Sequence, residues 1–156
     1  MKILLLSVLL LFVYSCSVPT IVILKDPLSW EEHIDLGYIY ERQGKLDLAE
    51  EEYKKAIRKN KRAWIAYYNL GNVYVKRGDL EKAEEFYFKA LQLERDPDLL
   101  NNLAYVLNKR GDTCLALKLI REALQKKERE EYKKNLKEIE EKGKNCLPFE
   151  GEGEFW

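Results

Sequence analysis

"DLGYIYERQGKLDLAEEEYKKAI", residues 35–57, divides at Gly44 into two segments that both carry helical spacing. In the first, Leu36, Tyr40 and Gln43 fall three and four residues apart, on one face of a helix. In the second, Ala49, Tyr53 and Ala56 do the same. The side-chain sizes are complementary. Gly37 leaves room for the second helix to come close, Ala49 and Ala56 are small where the two would cross, and Tyr53 fills the gap between them. Gly44 permits the positive φ of a chain reversal. The stretch predicts a helical hairpin.

The hairpin recurs twice. "NLGNVYVKRGDLEKAEEFYFKAL" begins at Asn69 and "NLAYVLNKRGDTCLALKLIREAL" at Asn102. Gly44, Gly78 and Gly111 recur at steps of 34 and 33 residues. Ala49, Ala83 and Ala116 keep those steps, as do Ala56, Ala90 and Ala123, with Tyr53, Tyr87 and Ile120 between them. Boundary signals agree with the period. Ser29 and Glu32 are spaced as a capping box, Asp79 and Asp112 as N-caps of the second and third return helices, and Asp96-Pro97 as a cap followed by an N1 proline.

Leu-Gly, an aromatic three residues on, a turn glycine, then alanine, a large apolar residue and alanine: this pattern resembles the tetratricopeptide repeat (TPR) family over residues 29–125. The third copy departs from it in Ala104 for Gly and Leu107 for Tyr. The resemblance implies an all-α fold, a right-handed α-solenoid of three helix pairs at residues 29–62, 63–96 and 97–127. A last helix, residues 128–142, has Tyr132, Leu136 and Ile139 on one face and charge elsewhere, as a cover for the open end of the last repeat requires. Residues 143–156 are expected to be a flexible tail. That tail, "PFEGEGEFW" at its end, is acidic with two terminal aromatics, and reads as a frayed end, a self-docking segment or a short partner motif.

The start of the chain bears on its compartment. Lys2 precedes an apolar run over residues 3–13, long enough for a signal-peptide core and too short to cross about 30 Å of hydrocarbon as a helix. Val13-Tyr14-Ser15-Cys16 resembles a bacterial lipobox, with Tyr14 departing from the usual small residue. That resemblance implies a lipoprotein signal peptide over residues 1–15, a diacylglycerol thioether on Cys16 and an N-acylated new terminus. Several acyl chains hold a protein to a membrane nearly permanently. By resemblance to the sorting signals of bacterial lipoproteins, Ser17 rather than Asp after the cysteine implies the outer membrane, facing the periplasm. The alternative is an uncleaved anchor through Leu24, which Ser15, Ser17, Pro19 and Thr20 interrupt. Residues 16–28 would then be a lipid-anchored linker, in which "TIVIL", residues 20–24, is apolar enough to pack on the first repeat or pair as a strand.

Composition excludes some functions. Lys plus Arg (27) balances Asp plus Glu (27), so no net field draws nucleic acid or an anionic membrane. The inventory argues against an enzyme. The single histidine, His33, sits in the first turn of the first helix and reads as a packing or surface residue. There is no Gly-rich phosphate loop and no paired Cys/His spacing, so no metal or cofactor is implied. The carboxylates fall in runs such as Glu50-Glu51-Glu52 that read as solvated faces. Cys114 opens the third return helix, and the antiparallel last helix returns towards it, bringing Cys146 near; the expectation is a Cys114–Cys146 disulfide, against a buried Cys114 and a free tail thiol.

The family resemblance also implies a concave groove lined by the first helix of each repeat. On this chain the groove positions are Glu31, Ile34, Tyr38 and Glu41, then Ile65, Tyr68, Asn72 and Val75, then Asp98, Asn101, Tyr105 and Asn108. The residues expected to meet a partner are Ile34, Tyr38, Tyr68, Asn72, Val75, Asn101, Tyr105 and Asn108. Tyrosine rings bury area at low entropy cost and amides pair with extended backbone. TPRs that clamp chaperone C-terminal carboxylates place Lys and Asn, then Lys and Arg, where this chain has Ile34 and Tyr38, then Asp98 and Asn102, so that clamp is absent. The resulting expectation is a non-catalytic scaffold in the cell envelope that binds a neutral or basic peptide or helix of a protein partner. The alternative is an accessory or regulatory subunit of an envelope enzyme, such as a peptidase or secretion system.

Overall fold

The computed structural model describes residues 26–143 and Cys146. Cys16, the leader, residues 20–24 and the tail beyond Cys146 lie outside the described residues. Among the described residues seven helices follow one another: α1 (Trp30–Arg42), α2 (Leu46–Lys59), α3 (Trp64–Arg77), α4 (Leu80–Leu91), α5 (Pro97–Arg110), α6 (Thr113–Lys126) and α7 (Glu130–Lys142). None of them is long and apolar enough to cross a membrane. Each short turn returns the chain along the helix just made, so α1/α2, α3/α4 and α5/α6 pack as pairs. The pairs then stack in chain order through α2/α3 and α4/α5, and α7 closes the end against α6 and α5. The result is an α-solenoid of three helix pairs and a capping helix.

The turns repeat in atomic detail. Gly44, Gly78 and Gly111 have φ of 73°, 78° and 99°. The residue after each glycine donates its amide to a carbonyl near the end of the preceding helix: Lys45 to Tyr40 (2.9 Å), Asp79 to Tyr74 (3.0 Å) and Asp112 to Leu107 (2.9 Å). Asp79 and Asp112 cap α4 and α6 through the amides of Lys82 and Leu115. Asp96 caps α5 through Asp98 and Leu99, with Pro97 first in the helix. Ser29 and Glu32 complete a reciprocal capping box on α1. At the equivalent place before α2 stands Lys45, and that helix has no side-chain cap.

The core runs unbroken along the stack. Tyr53 and Tyr87 are buried against the glycines facing them. A β-carbon placed on Gly37 would lie 2.6 Å from Tyr53 Cε1, and one on Gly71 would meet the Tyr87 ring closer still. In the third pair, Ala104 replaces the glycine and Ile120 the tyrosine, and both are fully buried. The missing ring makes the room that the extra methyl occupies. At the closing end Tyr132 and Ile139 of α7 are buried and Leu136 packs beside them.

The sequence-predicted last helix starts two residues later than expected, at Glu130. Cys114 and Cys146 are joined by a disulfide, with Cα atoms 5.4 Å apart and a sequence separation of 32. Cys114 is exposed at the start of α6, and Cys146 is partly buried just beyond α7. The covalent link therefore fastens the far end of the capping helix to the helix it covers.

Candidate functional site

The first helices of the second and third repeats place amides and a tyrosine on the same side of the stack, and these side chains bond to one another across repeats. Tyr87, reaching through from α4, donates its hydroxyl to Asn72 Oδ1 on α3 at 2.6 Å. Asn102 Nδ2 on α5 donates both its hydrogens, to the same Asn72 oxygen (3.1 Å) and to the Tyr68 hydroxyl (3.0 Å). Asn101 Nδ2 donates to Asn102 Oδ1 at 3.1 Å. Asn135 Nδ2, from the capping helix, donates to Asn101 Oδ1 at 2.8 Å. Six side chains from four helices thus form one hydrogen-bonded network, whose partners hold one another in place.

That network is the floor of an open cleft of about 440 Å³. Val75 and the exposed ring of Tyr105 lie on its sides, and Glu41, Lys76 and Glu131 mark its rim. Lys76 Nζ is paired with Glu41 Oε1 at 2.7 Å, which ties α3 to α1. The other oxygen of Glu41 accepts from the Tyr53 hydroxyl at 2.8 Å. At the closed end Asp98 Oδ1 accepts from Arg129 (2.6 Å) and from the Tyr132 hydroxyl (2.5 Å). Burial, reinforced by Asp98 and Asp96, pushes the Tyr68 phenol up to about 12. Burial raises Tyr87 as well. Both phenols therefore stay protonated at neutral pH and offer hydrogen bonds rather than acid–base chemistry.

The eight groove residues read from the sequence divide. Asn72, Val75, Asn101 and Tyr105 line the cleft. Tyr68 stands behind its floor, half-buried beside Trp64 and Tyr87, with ring centroids 6.2 and 5.9 Å away. Tyr38 is exposed at the first repeat with the Arg42 guanidinium over its ring. Ile34 belongs instead to the hydrophobic core. Asn108 is 4% exposed and accepts from Thr113 Oγ1 at 3.4 Å, so it braces the α5–α6 turn. Cys16 lies outside the described residues.

Five contributors to the cleft escaped the sequence reading, Lys76 at its rim among them. Tyr87 was assigned to packing alone, yet its hydroxyl passes through to the floor. Asn102 was read only as a residue missing from a carboxylate clamp. Asn135 and Glu131 come from α7, read as a solvated cover. Asn135 lies three residues after Tyr132 and four before Ile139, on the packed face of that helix, and this spacing was the available signal.

His33 is 1% exposed. Its Nδ1 is 2.6 Å from Glu52 Oε2 on α2, and its Nε2 is 2.7 Å from Asp26 Oδ2, an approach too oblique for a hydrogen bond. With no solvent access and both neighbours carboxylates, the imidazole joins the first helix pair to the segment before it. Among the described residues no group of three His, Cys, Asp or Glu side chains could hold a metal ion.

Comparison with known proteins agrees with this architecture. Residues 34–99 match the family described as tetratricopeptide repeat. No curated protein matches the chain. Among solved structures, YrrB, a TPR protein with an unusual peptide-binding site, is 28% identical with a TM-score of 0.66; the match covers 69% of this chain and 57% of that one. The chain thus spans little more than half the length of that relative. PilF of Pseudomonas aeruginosa is 26% identical with a TM-score of 0.68, over 74% of this chain and 54% of its own. The first TPR of Spaghetti (RPAP3), solved with an HSP90 peptide, is 19% identical with a TM-score of 0.70, over 76% of this chain and 96% of its own, a likeness of fold alone. Period, turns and helix pairs agree with a match to the tetratricopeptide repeat family over residues 34–99, and the chain shares the fold of the solved TPR structures it resembles.

Proposed function

We propose that this protein is a non-catalytic scaffold that receives a segment of a protein partner in the cleft between Tyr105, Val75 and the Asn72–Asn102–Asn101–Asn135 line. The observation that carries the reading is that line itself. A row of amides in a tyrosine-flanked cleft presents donors and acceptors at intervals, without a charge that would demand a charged ligand. Such a surface suits the alternating N–H and C=O groups of a peptide. With Glu41 neutralised by Lys76, the remaining rim acid Glu131 favours a neutral or basic segment over an acidic one. YrrB, similar to this chain, has a peptide-binding site, which supports the same use of the fold.

The second half of the proposal concerns place. The lipobox-like Val13-Tyr14-Ser15-Cys16 supports a lipid-anchored protein on a bacterial envelope membrane, facing the periplasm from the outer membrane. Partners would then be envelope proteins brought together or assembled on the scaffold.

One experiment addresses the cleft and a second the anchor. Affinity capture from membranes, with the full chain against a Tyr105→Ala, Asn102→Ala double variant, should recover partners with the first and lose them with the second. Equal recovery from both would reject the cleft. Cys16→Ser should move the protein from the membrane to the soluble fraction and change its mass by the lost lipid. Unchanged partition and mass would reject lipidation.

A further inference from the structure

Successive repeats bury the same positions of their first helix against the repeat before. Val73 of α3 and Val106 of α5 are both 0% exposed, as are Leu70 and Leu103. Repeat register puts Ile39 and Leu36 at those places on α1. Ile39 is 50% exposed, and Leu36 is only half-buried. Tyr40 is likewise half-buried, although its counterparts Tyr74 and Leu107 are buried. The outward side of α1 is thus a joint of the solenoid with no joint partner among the described residues. At the other end α7 covers the corresponding opening, as the terminal unit of a stacked array must.

The chain itself delivers an apolar segment to this side. Residues 20–24, Thr-Ile-Val-Ile-Leu, are separated from the described residues by Lys25 alone. Their exit point is fixed: the Asp26 carboxylate lies against buried His33, and Lys59 Nζ donates to the carbonyls of Asp26 and Leu28. His33 is one helical turn from Leu36 and Gly37 and six residues from Ile39, a rise of about 9 Å. Four extended residues reach about 13 Å. The segment is long enough to lie along the whole face, and it is the only stretch near it in sequence whose side chains match its chemistry.

We propose that residues 20–24 fold back on α1 and take the place that a preceding repeat holds in copies two and three, giving the solenoid an N-terminal cap built from the linker. The inference stands apart from the cleft, which lies on other residues. It makes the linker part of the folded domain, not a free tether. If Cys16 carries lipid, only residues 17–19 would separate the acyl group from the cap, which sets the first repeat against the bilayer surface.

The test places the photo-crosslinker p-benzoylphenylalanine at Ile39 in the full chain, in membranes, and maps the adduct by mass spectrometry. A crosslink to residues 20–24 of the same chain is expected. A crosslink between two copies, a crosslink to another protein, or none would overturn the proposal. A thermal measurement guards against a perturbing probe. Ile39→Asp alone and Val22→Asp with Leu24→Asp should each lower Tm by at least about 3 °C, and together by little more than either. An unchanged Tm on Ile39→Asp, or full additivity, would also overturn it.

Discussion

Tyr53 and Tyr87 each lie on a glycine, whereas Ile120 stands opposite an alanine, and that contrast turns a family pattern into a packing rule. Gly37→Ala would drive a methyl group into the Tyr53 ring, with the nearest carbon 2.6 Å from the new Cβ. A buried ring cannot step aside, so the expected loss is about 1–3 kcal/mol despite the better helix propensity of alanine. Urea unfolding measures it, and adding Tyr53→Ile should restore part of the loss. Ala104→Gly, at the same place in the third repeat, should cost about 2 kcal/mol, roughly half from helix propensity and half from the hollow left by the buried methyl. The sequence exposed both departures of the third copy. Their coupling became visible only once the two residues faced each other. The same holds at Ile34 and Asn108, which share a helical stripe with groove residues yet turn inward, because the curvature of the stack and the α5–α6 turn decide which edge of that stripe meets solvent.

Among the elements, α7 has two roles. It covers the last repeat with Tyr132 and Ile139, and it sends Asn135 and Glu131 into the cleft. The disulfide holds its far end to α6 across 32 residues of chain. Cys114→Ser should lower stability by about 3–4 kcal/mol in the chain-entropy treatment, and hydrogen exchange should show α7 opening before α1 to α6. Equal protection across all seven helices would contradict that order. The existence of this helix was legible from its apolar spacing. Its share of the cleft was not, because a polar asparagine on a packed face looks the same in sequence whether it meets water or another amide.

At the scale of the molecule, the repeats are held to one another by ion pairs as well as by the core, and Glu50 is the clearest case. It lies on α2 and accepts hydrogen bonds from Tyr74 and Arg77 on α3 and from Lys54 on its own helix. Burial by itself would raise its carboxyl, but the hydrogen bonds from Lys54, Tyr74 and Arg77 outweigh it and hold the group at about 2, against a usual 4.5. A carboxyl depressed on folding contributes its full stability above the unfolded value and loses it as pH falls through the folded one. The prediction is a stability that declines from pH 4.5 towards about 2. Glu50→Gln should be less stable at pH 7 and show a flatter decline over that window, read from Tm against pH. The period, turns and caps that set the overall solenoid were written locally and could be read from the chain. Ties such as Glu50 to Arg77 could not, since a run of three glutamates gives no sign of which one faces the next repeat.

The matched pairs Gly37–Tyr53, Gly71–Tyr87 and Ala104–Ile120 also bear on heredity. Tandem units can recombine unequally, and a crossover within a turn at Gly44, Gly78 or Gly111 would join the first half of one unit to the second half of another. Between the first two units such a hybrid keeps a glycine under a tyrosine. Joining α5 to α2 or α4 would set an alanine methyl against a ring, and joining α1 or α3 to α6 would leave a hollow beside Ile120. A hybrid of the first two units would therefore keep its packing, whereas one that takes half of the third would start with a misfit at its centre.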